Sequence, residues 1–172
     1  MVVNILTHGR LNKRNHEDYL FGVDDGMLSM SKIKNMFVDG RKCPTMICKP
    51  KIFIVQACRG EQNQNMVDTD LSGTDNESEN DDGVDKNGIK YVNKSWFFVF
   101  QSTIKGFASN RNPESGSIFI QTLCKELTEN GTRLNLATMA SCVNQKIMRN
   151  YKIQAPIYEN QLGDFIYFDP SD

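Results

Sequence analysis

The chain has 172 residues, 39% hydrophobic and 24% charged, which fits one soluble globular domain with a core that needs no staples. Its formal net charge of -1 offers no basic surplus for nucleic acid or an anionic membrane, and no apolar run approaches bilayer-spanning length. Five cysteines without C-x-x-C pairs or regular spacing point to reduced thiols in a cytoplasmic setting, not to a disulfide framework or a metal site.

The first residues, MVVNILTHGR, lack the basic region and long apolar core of a signal peptide. Val2, Val3, Ile5 and Leu6 instead form a short apolar run ending at Thr7-His8-Gly9. It reads as a buried strand with functional groups at its carboxyl end. Arg10 to Asp18 is polar and basic and reads as a loop. Tyr19-Leu20-Phe21 followed by Gly22-Val23-Asp24-Asp25-Gly26 predicts a small hairpin, since Asp-Gly favours tight primed turns. Met30, Ile33, Met36 and Phe37 share one helical face, with Ser29 or Ser31 as N-cap. Lys49-Pro50 closes that connection.

The stretch KIFIVQACRG, Lys51 to Gly60, dominates the chain. Ile52, Phe53, Ile54 and Val55 read as a strand buried on both faces. The run stops at a thiol, Cys58, with Gly60 close behind to allow a tight turn. Strand, helix, strand is a βαβ unit, so the two strands are expected parallel and adjacent. His8 and Cys58 then leave the sheet side by side. An isolated Cys is more often a small buried hydrophobe, and an isolated His a satisfied core imidazole. The pairing changes that balance, because a thiol beside an imidazole suits nucleophilic catalysis. His8 handles the protons of thiol and leaving amine. The backbone N–H groups of Gly9 and Cys58 are placed to form an oxyanion hole. His16, in a polar stretch, reads as merely solvated.

From Glu61 to Asn93 the composition shifts to Asp, Asn, Glu, Ser and Gly with few apolar residues, too few to bury a core. A loop of that length inside a domain is uncommon and often functional. Afterwards Trp96 to Phe100 reads as a strand and Gln101 to Arg111 as an extended loop containing Gly106. Ile120, Leu123, Cys124 and Leu127 mark one apolar helix face closed by Asn130-Gly131. Leu136, Met139, Ala140, Val143 and Ile147 mark another helix, and Phe165 to Phe168 a last strand. The class is α/β, with a mostly parallel central sheet flanked by helices.

Several motifs in order now support a family. The string Gln56-Ala57-Cys58-Arg59-Gly60, with His8 about fifty residues upstream, resembles the caspases, the aspartate-directed cysteine endopeptidases. THG at 7–9, FGVDDG at 21–26, KPKIFIVQACRG at 49–60 and ASNRNPESGSIFIQTLC at 108–124 are similar to successive segments of that family, so the likeness covers nearly the whole chain. It implies a three-layer caspase-like sandwich. It also implies Cys58 as nucleophile, His8 as acid and base, and Gly9 with Cys58 as oxyanion donors. Gln56 and Arg111 fall in the pocket for the substrate aspartate, with Ser109 and Asn110 beside them. A guanidinium fork pairs bidentately with a carboxylate, which gives that pocket a physical basis.

The resemblance further implies a large-subunit-like part over 1–70, a linker over 71–93 and a small-subunit-like part over 94–172. Cutting of the linker is expected after Asp70 or Asp85. Protein substrates with Asp before the scissile bond are implied. So is a homodimer, or a heterodimer with another caspase, formed through the last strand. No cofactor, metal, nucleic acid or membrane is implied. The expected activity is cleavage after Asp in apoptosis or a related cascade. The rival reading is a weak or inactive homologue that regulates true caspases by pairing with them. Three departures bear on the choice. Asn110 stands where the family usually has an aromatic residue, and Lys105 where a Pro is common. The family's earlier strand–helix–strand segment, with a second pocket arginine, has no counterpart among these residues.

Overall fold

The computed structural model describes residues 1–24, 26–38, 43–63 and 96–168. Its centre is a four-stranded sheet in the order β1 (Val2–Leu6), β5 (Lys51–Gln56), β6 (Phe97–Gln101) and β9 (Ile157–Asn160). β1, β5 and β6 run parallel, with Leu6 opposite Gln56 and Val55 opposite Gln101, while β9 closes the sheet antiparallel to β6. Every residue of β5 and of β6 is buried. Alternation explains why their sequences carry no polar face. Ile52, Ile54, Phe98 and Phe100 pack on one side against Phe119, Leu123, Leu136, Ala140, Val143 and Ile147. Phe53, Val55, Phe97 and Val99 pack on the other against Leu20 and Met30, with Ile33 and Phe37 alongside.

The first of those faces is covered by α2 (Ile118–Asn130) and α3 (Leu136–Lys146). The second is covered by α1 (Met30–Asn35) and by a small antiparallel sheet of β2 (Gly9–Asn12), β3 (Glu17–Phe21) and β4 (Met27–Ser29). The result is a three-layer α/β sandwich, as expected. Ser29 is the cap of α1, its hydroxyl accepting from Lys32 N at 3.2 Å. The predicted hairpin forms between β3 and β4, with Phe21 opposite Met27, and Asp24 Oδ1 accepts from Gly26 N at 3.2 Å.

Four expectations are corrected. Arg10 to Asp18 is not a loop: β2 pairs with β3, Gly9 opposite Leu20 and Asn12 opposite Glu17. Its polar side chains show no alternation, yet cross-strand backbone pairing makes the strand, and Asn12 and Asn15 oxygens accept from Arg14 N and Glu17 N to turn the corner. β1 is not buried on both faces; it is an outer strand, with Val2 and Leu6 exposed. Phe165 to Phe168 is not a strand. Ile166 and Phe168 turn inward against the core, Phe165 and Tyr167 outward, and the backbone bonds go to helix ends: Leu136 N donates to Ile166 O at 2.8 Å and Phe168 N to Gly131 O at 3.1 Å. Cys124 lies on the exposed side of α2, whose buried residues are Phe119, Thr122, Leu123 and Glu126. α3 holds its predicted core face and continues into a π-helical turn over Ile147–Tyr151. Among the described residues no helix is long and apolar enough to cross a membrane.

Candidate active site

The parallel pairing of β1 and β5 delivers His8 and Cys58 to the same edge of the sheet. Thr7 N donates to Gln56 O at 3.1 Å, extending the ladder one step past the strands. Gly9 then sits directly on the turn after β5: a Cβ there would lie 2.4 Å from the Cys58 carbonyl oxygen and 3.0 Å from Ala57 Cβ. Only glycine permits that approach. The backbones of the expected nucleophile, acid–base and oxyanion residues are therefore brought together. His8 is exposed and Cys58 half-buried. No hydrogen bond joins the His8 ring to the Cys58 thiol among the described residues. Instead Ser109 N donates to Cys58 Sγ at 3.3 Å, and Sγ lies 3.8 Å from Ser109 O.

A relay of polar side chains underlies the thiol. Buried Gln56 donates from Nε2 to Ser109 Oγ at 2.7 Å, and Ser109 Oγ donates to Ser102 Oγ at 2.7 Å. Ser102 Oγ lies 3.3 Å from Ala57 O and 3.4 Å from Ala57 N, bracing the residue before the thiol. At its other end Gln56 accepts from Ser117 Oγ, and Ser117 also caps α2. Arg111 lies in β7 (Arg111–Asn112), which pairs with β8 (Gly116–Ser117) so that Arg111 stands opposite Ser117. The backbone of Arg111 is thus held one residue-pair away from the carboxamide of Gln56. Its own side chain is exposed. Asn110 is tied down: its N–H donates to Gln154 Oε1 at 2.9 Å and its Nδ2 to Ile153 O at 3.1 Å. Asp70 and Asp85 lie outside the described residues.

Arg59 has a role the sequence did not reveal. It turns inward, donating to Asp18 Oδ2 from Nε at 3.0 Å and Nη2 at 2.7 Å, and from Nη1 to Thr103 O at 3.2 Å. This nearly buried fork anchors the nucleophile turn to β3 and to the end of β6. Asp18 was hidden in the stretch read as loop. Ser102 carried a signal, a polar residue at the carboxyl end of a buried strand. Gln154 carried none. The five cysteines stand as free thiols. Among the described residues no three His, Cys, Asp or Glu side chains cluster as a metal site.

Comparison with known proteins agrees with this geometry. The caspase domain model matches residues 1–167. Caspase-7 of Gallus gallus is 34% identical over 151 residues, covering 88% of this chain and 45% of that protein. Caspase-3 of Mesocricetus auratus is 34% identical over 175 residues, covering 95% of this chain and 57% of that protein. The crystal structure of caspase-1 from Spodoptera frugiperda superposes with a TM-score of 0.72 at 26% identity, over 96% of this chain and 61% of that one. The chain spans about half the length of the curated relatives it matches. With the domain model matching over 1–167 and the sheet, the strand-end thiol and the solved neighbour in accord, the chain belongs to the caspase family.

Proposed function

We propose that this chain carries the thiol site of a cysteine endopeptidase that cleaves after Asp, acting in apoptosis or a related cytoplasmic cascade. The observation that carries the reading is the strand-end pair: His8 and Cys58 leave adjacent parallel strands together, with Gly9 packed on the Cys58 carbonyl. In the reaction, Cys58 Sγ attacks the carbonyl carbon after the substrate Asp while its proton passes to His8. The N–H groups of Gly9 and Cys58 face the oxyanion, where one donor is worth roughly 10²–10³ in rate. His8 gives the proton to the leaving amine, and water releases the acyl group from sulfur. Gln56 and Arg111 take the aspartate carboxylate. Maturation by cutting after Asp70 or Asp85, and pairing with itself or a longer caspase, complete the proposal.

The test is labelling with an aspartyl fluoromethyl ketone followed by mass spectrometry. Cys58 is expected to carry the adduct. Even labelling of Cys43, Cys48, Cys58, Cys124 and Cys142 would overturn the reading. A second reading, a weak homologue that works by pairing, is favoured by one contact. The thiol is engaged by Ser109 N–H and not by His8. Selective labelling of Cys58 without turnover of an Asp-ended fluorogenic peptide would select it.

A further inference from the structure

Gln154 lies just ahead of β9, with 2% of its surface exposed. A buried carboxamide is costly unless both its ends are bonded. Here both are: Nε2 donates to Ser102 O at 2.9 Å, and Oε1 accepts from Asn110 N at 2.9 Å. The preceding carbonyl, Ile153 O, accepts from Asn110 Nδ2 at 3.1 Å. Three separate segments meet at this one side chain: the end of β6, the residue before Arg111, and the lead into β9. Two of them belong to the site. Ser102 is fully buried and braces Ala57, and Ser109, bonded to Gln56 and to the thiol, lies between the Ser102 and Asn110 anchors. Gln154 itself makes no hydrogen bond to Cys58, His8 or Gln56 among the described residues.

We propose that Gln154 is a positioning residue for the aspartate pocket: it fixes the backbone of Asn110, and so aims Arg111, against the buried Gln56–Ser109–Ser102 relay. The inference rests on Gln56 and Arg111 forming that pocket. An isosteric apolar side chain would fill the same space and make neither bond. The segment 109–111 would keep its β7–β8 pairing and its contact with the thiol, but lose the anchor that sets its height over the nucleophile turn.

The experiment compares Gln154→Met with the parent chain by two reactions at the same sulfur. An aspartyl fluoromethyl ketone needs the pocket, whereas iodoacetamide needs only the thiol. The expected result is a fall of about 5- to 100-fold in the ketone rate, the range for one or two lost buried hydrogen bonds, with the iodoacetamide rate kept. Hydrogen exchange gives a readout independent of reactivity: the Asn110 amide should lose protection while the amides of β5 and β6 keep theirs. An unchanged ketone rate, or an equal fall in both rates with exchange raised across the sheet, would overturn the positioning role. Gln154→Asn, one methylene shorter with the same polar groups, serves if the Met variant does not fold, and the same outcomes decide. A parent chain that shows no ketone preference for Cys58 would instead fail the pocket reading, a result seen before any Gln154 variant is made.

Discussion

At the scale of single residues, Arg111 is exposed, and its guanidinium is bonded to no side chain among the described residues. Its removal should therefore cost specificity and not the fold. Each charge-assisted bond to a substrate carboxylate is worth about 1.5–3 kcal/mol, so Arg111→Ala should lower kcat/KM for an Asp peptide by roughly 10²–10⁴ with the melting temperature unchanged. Equal turnover in the variant would place the pocket elsewhere. Arg59, one position after the nucleophile, is the opposite case. Its nearly buried fork to Asp18 leaves no guanidinium for substrate, and the family string around Cys58 does not distinguish an inward arginine from an outward one. The difference between these two arginines explains what was legible. His8, Gly9 and Cys58 could be read because strand ends announce themselves by abrupt loss of apolar residues. Asp18, Ser102 and Gln154 could not be placed in their roles. Each is defined by a hydrogen-bond partner more than forty residues away, and no periodicity marks such a pairing.

At the scale of elements, burial decided legibility. β5 and β6, covered on both faces, are apolar between their ends, over Ile52–Val55 and Phe97–Phe100, and α3 shows its whole buried face in its spacing. β2 is polar and partly exposed, so pattern alone missed it. The segment Phe165 to Phe168 shows the reverse failure. It has the in–out alternation of a strand, but its backbone is bonded to Gly131 and Leu136 at the helix ends. Those helices also share a polar contact that apolar patterning hides. Glu126 of α2 is 1% exposed, bonded by Lys146 of α3 and by Asn130 Nδ2 at 3.0 Å. Removing Lys146 alone strands a buried carboxylate, whereas replacing both members leaves apolar packing. Lys146→Met should thus be clearly less stable to urea than Lys146→Met with Glu126→Leu. Equal midpoints would show that the carboxylate needs no partner. The hydrogen bond to Glu126 holds the Lys146 ammonium above the ordinary lysine range. The folded state therefore binds that proton more tightly than the unfolded chain. The stabilisation is full below the ordinary lysine value and fades as pH rises through the raised one, so the stability advantage of the parent chain over Lys146→Met should shrink only in strongly alkaline solution.

At the scale of the whole molecule, the four-stranded sheet has two outer strands, and neither has a further strand beyond it among the described residues. Such edges invite pairing with another chain. They are not equivalent. β1 exposes Val2, Asn4 and Leu6 and half-buries only Val3 and Ile5. β9 is locked from within, Tyr158 stacking on Phe98 with centroids 5.4 Å apart and its hydroxyl 2.9 Å from Ser141 Oγ. Its free side is therefore presented by a rigid strand. The family resemblance puts pairing at the last strand, and the structure moves that strand from Phe165–Phe168 to Ile157–Asn160. If two copies pair there, purified 1–172 should sediment above its monomer mass of 19.6 kDa at micromolar concentration, with a concentration dependence that marks exchange. Ile157 is 41% exposed on that strand. A lysine there sets like charges face to face across a two-fold axis, so Ile157→Lys should return the chain to monomer, while Leu6→Lys on β1 should not. Dissociation by Leu6→Lys with Ile157→Lys silent would assign pairing to the other edge. A monomer at every concentration would remove self-pairing from the proposed function and leave a longer caspase chain as the partner to test.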